Sequence, residues 1–173
     1  IKLSTVELLF VIITAACLFV VTIHQMSISG ILPGNDPAVH LGKAKQIVLD
    51  EKVSYSEEAW YPPLFHTVLA ILQLFAGTID VIASAFILKL LIATFYVLIM
   101  LSTYLLTRKL FGTGVAVVSA VLTSLSVPLF EMVFWGGYAN FMGLAYIAFV
   151  FYIMNKDFAL GIKTLLLFLG AFT

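Results

Sequence analysis

Long apolar runs alternate along this chain with one dense polar interval. Residues 6–26 form the first run, long enough as a helix to cross a hydrocarbon core of ~30 Å. Residues 83–107, 114–134 and 139–155 form three more, and residues 159–173 begin a fifth. Between the first and second runs lies the interval 27–82. It holds two of the three histidines, four of the five prolines and six of the nine acidic residues. The pattern predicts an all-α fold: a polytopic helical membrane protein whose first loop, outside the bilayer, is itself helical.

Two helices are expected within that loop. Asp36-Pro37 is a helix-start signal, because a carboxylate can cap free backbone N–H groups and proline is tolerated in the first turn. Over 37–52, Leu41, Ala44, Ile47 and Val48 share a helical face with His40, while Lys43, Lys45, Asp50 and Glu51 point elsewhere. The second helix, 62–77, is apolar but shorter than the ~17 residues a span needs. It carries a polar stripe of His66, Ala70, Gln73 and Gly77 and is expected to lie flat in the headgroup layer. Tyr61-Pro-Pro-Leu-Phe stiffens its entry, since each proline fixes φ and restricts the residue before it.

Charge asymmetry orients the runs. With Lys2 cytoplasmic and 62–77 lying flat, Arg108-Lys109 and Lys156 all return to the cytoplasmic side, as the positive-inside bias requires. The loop 27–82 and the Trp135-Gly-Gly-Tyr138 connection then face outward. Composition agrees with a membrane protein: 62% apolar residues, 10% charged, and a mean hydropathy of +1.14. Nine basic residues balance nine acidic ones, so no basic field points to nucleic acid. The single cysteine, Cys17, rules out an intramolecular disulfide. Because the chain begins and ends in apolar sequence, it reads as the N-terminal part of a longer integral membrane protein of the plasma membrane or an ER-type membrane. Its N-terminus is then cytoplasmic.

This topology gathers Asp36, His40, His66, Lys89 and Glu131 at the outer face. Ionisable residues in or beside spans are costly and usually face a cavity or a partner. Each also has a plain role: capping for Asp36, snorkelling for Lys89, a wet helix end for Glu131, headgroup anchoring for Trp60 and Tyr61. In the chemical reading, Asp36 takes a proton from an acceptor hydroxyl or amine, and Lys89 contacts a phosphate. His40, His66 and Tyr61 line the substrate. A divalent cation, Mg²⁺ or Mn²⁺, would need Asp36, His40 and Glu131 as ligands, although their spacing is not a metal-ligand motif.

The order of these features resembles the GT-C glycosyltransferases that use lipid-phosphate-linked sugars: oligosaccharyltransferase catalytic subunits, protein O-mannosyltransferases and bacterial aminoarabinose transferases. The resemblance rests on Asn35-Asp-Pro-Ala-Val-His40, Pro62-Pro-Leu-Phe-His66, Lys89 with Arg108-Lys-Leu-Phe-Gly112, and Glu131 as a second outer acid. It implies a polyprenyl-phosphate sugar donor, inversion at the anomeric carbon, and often a divalent metal. Asp36 would be the catalytic acid, joined by Glu131, and Lys89 a donor-phosphate contact. The chain departs from that pattern in lacking an acidic pair in the first loop and an Asp-x-Asp/Glu motif at Glu131. Other expected partners are membrane lipids and the rest of the chain or further membrane subunits, and this piece alone need not be active. Two rival readings are a transporter or flippase-like carrier and a non-catalytic lipid-binding scaffold.

Overall fold

The computed structural model describes residues 3–28, 30, 32–34, 36–53 and 63–154, and every regular element among them is an α-helix. In chain order these are α1 (Thr5–Ile28), α2 (Pro37–Asp50), α3 (Pro63–Phe75), α4 (Val81–Phe111), α5 (Thr113–Ser124), α6 (Val127–Trp135) and α7 (Tyr138–Met154). Three stretches are long and apolar enough to cross a membrane: Thr5–Ile28, Val81–Phe111 and Thr113–Trp135. The protein is therefore an all-α integral membrane protein. The expected fifth run, 159–173, lies outside the described residues, as do Trp60 and Tyr61.

α4 is the axis of the bundle and packs against α1, α5 and α7. At 31 residues it is about 46 Å long, well over a bilayer core. Its start is fixed by Asp80, whose carboxylate accepts from the backbone N–H groups of Ile82 (2.9 Å) and Ala83 (3.1 Å). Its middle is aromatic: Tyr96 is fully buried and meets Phe130 and Phe141 edge-on. α1 instead exposes Val6, Ile13 and Val20, which suits a helix with one side against lipid.

Polar contacts at both ends make α1 and α4 antiparallel. At one end, Lys89 Nζ donates to Ser27 Oγ (3.2 Å). At the other, Glu7 is buried among donors. Its Oε1 accepts from Arg108 Nε (2.7 Å), Thr113 Oγ1 (2.8 Å) and Tyr104 OH (3.3 Å). Its Oε2 accepts from Arg108 Nη2 (3.2 Å) and the backbone N–H of Ser4 (2.7 Å). Ser4 Oγ in turn accepts from the Glu7 N–H (3.2 Å), closing a capping box. The bond lengths and the forked Arg108–carboxylate contact make this the tightest polar cluster described.

Two features add to what the sequence suggests. The third span is broken: α5 stops at Ser124 and α6 starts at Val127. Pro128 lacks the N–H a continuous helix would use and crowds the preceding turn, so the break falls just ahead of it. The Ser126 N–H donates to the Thr123 carbonyl (3.2 Å), and the Tyr96 hydroxyl lies against the carbonyls of Thr123 (3.3 Å) and Ser124 (3.4 Å). Second, α3 is turned over. Its polar stripe, His66, Ala70 and Gln73, is buried, whereas Ile71, Leu74 and Phe75 are exposed. Its 13 residues span about 20 Å, too short to cross. An outward apolar face still places it where lipid can cover it.

Candidate functional site

α2 and α3 pack side by side on one end of the bundle. His40 and Ala44 on α2, and Phe65, His66 and Leu69 on α3, are buried along their shared seam. His40 Nδ1 lies 2.9 Å from His66 Nε2, and His40 Nε2 lies 3.0 Å from the carbonyl oxygen of Gly136. A carbonyl only accepts, so His40 Nε2 carries a hydrogen. In neutral His40 the other nitrogen is then a lone pair, and His66 Nε2 donates to it. Burial pushes the His40 pKa down, opposed by the Gly136 carbonyl and by Asp36. Protonating His40 would require His66 to change tautomer, so neutral His40 and one fixed proton arrangement go together.

The segment ahead of α2 is clamped to the α6–α7 turn. Gly34 (φ +93°) packs so closely on the backbone carbonyl of Phe134 that no Cβ fits, and a Cβ there would also stand 2.8 Å from the carbonyl carbon of Trp135. At Gly136 (φ +94°) a Cβ would come 2.9 Å from Asp36 Cβ and 3.3 Å from Pro37 Cδ. Both glycines occupy the left-handed region that L side chains avoid. The turn is held by the N–H groups of Gly136 and Gly137, both donating to the Met132 carbonyl. Tyr138, fully buried, donates to the Pro33 carbonyl (3.3 Å) and lays its ring 5.4 Å from that of His40.

Asp36 therefore sits on a backbone fixed from two sides. It is the residue before α2, but with φ −89° and ψ −14° its carboxylate makes no capping hydrogen bond, unlike the expected cap. It is partly exposed at the surface of the clamp.

The other expected residues divide. His66 joins His40 directly. Lys89 lies at the same end of the bundle, with its amine on Ser27 in the last turn of α1. Glu131 is exposed on α6, while both ring nitrogens of His40 are already engaged. Among the described residues no group of three or more His, Cys, Asp or Glu side chains is placed to hold a metal ion. The expected ligand set Asp36, His40 and Glu131 is not among such groups, and the lone pair of neutral His40 is turned towards His66.

The chain matches no known protein family, and no curated protein and no solved structure is significantly similar to it.

Gly34, Gly136 and Tyr138 are parts of this site that sequence reasoning does not single out. For Gly136 and Tyr138 a signal was present in Trp135-Gly-Gly-Tyr138: two glycines and a tyrosine where a short connection between apolar helices has no need of them.

Proposed function

We propose that this chain is a membrane-embedded portion of a GT-C-type glycosyltransferase, with Asp36 as its catalytic carboxylate and a polyprenyl-phosphate sugar as donor. One observation carries the reading. Asp36 sits on backbone packed closely between Gly34 and Gly136, partly exposed at the surface of the clamp. Preorganisation of that kind is what a general base needs.

Asp36 takes the proton of an acceptor hydroxyl or amine as that atom attacks the anomeric carbon. The bond from that carbon to the phosphate oxygen breaks on the opposite side, and polyprenyl phosphate leaves. Lys89 offsets the leaving phosphate charge. His40 and His66 are positioning residues that hold the clamp, and no step runs through a metal.

The test uses membranes carrying the full-length protein and radiolabelled polyprenyl-phosphate sugars. Wild type should consume donor and release polyprenyl phosphate. Asp36→Asn should lose ~10²–10⁴-fold in rate, the usual contribution of a general base, with an unchanged unfolding midpoint. Full transfer by Asp36→Asn would end the assignment.

A carrier is the second reading, because carriers often use discontinuous spans and the third span here is broken at Leu125–Ser126. Against it, the carbonyls at the break already have donors within the protein: the Ser126 N–H on Thr123 and the Tyr96 hydroxyl beside Thr123 and Ser124. Uptake of labelled substrate by vesicles without covalent transfer would favour the carrier.

A further inference from the structure

A partly open cavity of about 390 Å³ lies between α2, the 32–34 segment, the end of α3 and the first turns of α4. Its volume is in the range of small-molecule sites, ~300–1,000 Å³. Leu32, Leu41 and Val81 contribute apolar wall, and Lys45 stands exposed at its edge. Two of its lining residues are polar and buried: Gln73 is 1% exposed and Ser84 2%. Among the described residues the Gln73 amide nitrogen and oxygen and the Ser84 hydroxyl have no hydrogen-bond partner. Leaving such groups unsatisfied is costly, and buried polar atoms in folded proteins nearly always find a partner.

We propose that this cavity binds a single-chain amphiphile: a monoacyl glycerophospholipid with an anionic head. The requirement comes from the polar atoms. Gln73 needs both an acceptor for its N–H and a donor for its carbonyl, whichever way its amide is oriented. A free glycerol hydroxyl beside an ester carbonyl meets both and leaves a partner for Ser84. A diacyl lipid offers carbonyls but no adjacent hydroxyl, so the Gln73 oxygen would stay unpaired. A fatty acid would bury a carboxylate with no cation inside the cavity, which is more costly still. The apolar wall takes the start of the acyl chain, and the Lys45 ammonium meets the phosphate at the rim. The site does not depend on the glycosyltransferase reading. Binding is read without transfer, so either can fail alone.

The experiment titrates the full-length protein in nonionic detergent, following bound ligand by native mass spectrometry and the unfolding midpoint by thermal shift. Lysophosphatidylglycerol should bind saturably at one copy per chain and raise the midpoint. Dodecyl phosphate, which lacks the hydroxyl and the carbonyl, should bind at least tenfold more weakly. Lysophosphatidylcholine should bind several-fold more weakly than lysophosphatidylglycerol, and Lys45→Gln should erase that difference. Gln73→Leu with Ser84→Ala removes the unsatisfied atoms, so it should fold at least as stably while losing tenfold or more in affinity. Absence of saturable binding, or equal binding by the double variant, overturns the proposal. So does equal binding of dodecyl phosphate by wild type, a comparison that needs no variant. A double variant less stable than ligand-free wild type would mean that water alone satisfies Gln73 and Ser84, and it also overturns the proposal.

Discussion

At Gly136 a Cβ would stand 2.9 Å from the Cβ of Asp36, on a backbone at φ +94°. Gly136→Ala should therefore cost stability twice: ~1–3 kcal/mol for a left-handed non-glycine, and more for the displaced Asp36 segment. Gly30 is the control. Its φ is also positive, +92°, but nothing lies within 4 Å of its Cβ position. Unfolding midpoints in detergent should rank wild type above Gly30→Ala, and Gly30→Ala well above Gly136→Ala. Equal loss in the two variants would mean that the clamp is not close-packed. His40 makes a second prediction. Burial lowers its folded pKa below the ordinary 6.5, so below that pH the unfolded chain binds more protons. The stability contributed by neutral His40 is fully present above about pH 6.5 and is lost as pH falls through the folded value. Asp36 and His66 face this ring, with Lys43 on the same helix and Tyr138 across the clamp. The unfolding midpoint should drop more between pH 7.5 and 5.5 in wild type than in His40→Gln. That His40 belongs to the apolar face of α2 is legible from its spacing. Its bond to Gly136, across 96 positions, is not, because a pairing over that distance leaves no local trace.

For elements, type was more legible than facing. Apolar length alone marks α1 and α4, and 62–77 stands apart by its shortness, as the 13-residue α3 does from the long apolar helices. Which side of α3 turns inward is decided by tertiary packing: His66 pairs with His40, and the apolar side goes outward. A polar stripe looks the same in sequence whether it faces water or a polar seam. Glu7 teaches the same lesson. A carboxylate at the start of a span reads as interfacial, yet Ser4 and Glu7 form a capping box, and Arg108, 101 positions on, closes over it. A double-mutant cycle tests that lock. Arg108→Leu alone, which strips the carboxylate of its cation, should lower the midpoint more than Glu7→Leu with Arg108→Leu, which removes both charges. Additive losses would show that the pair contributes only as separate surface charges.

The whole molecule is ordered by its two ends. The Glu7–Arg108 cluster marks one end of α1 and α4, and Lys89–Ser27 the other. The Asp36 clamp, the histidine pair and the Gln73–Ser84 cavity all belong to the second end. The sequence reading reaches the same grouping through charge asymmetry, on the expectation that basic residues follow membrane orientation. The clamp is set by close backbone approach between distant segments, which leaves no such pattern in the sequence. The central claim is that this second end faces away from the cytoplasm, with Arg108-Lys109 inside. Single cysteines in a Cys17→Ala background test it most directly. One replaces the exposed Ala76 after α3, the other the exposed Lys109, and intact cells are labelled with a membrane-impermeant maleimide. The account predicts that Ala76→Cys is labelled from outside and Lys109→Cys only after permeabilisation. Labelling of both positions from the same side, or of Lys109→Cys alone in intact cells, would contradict it.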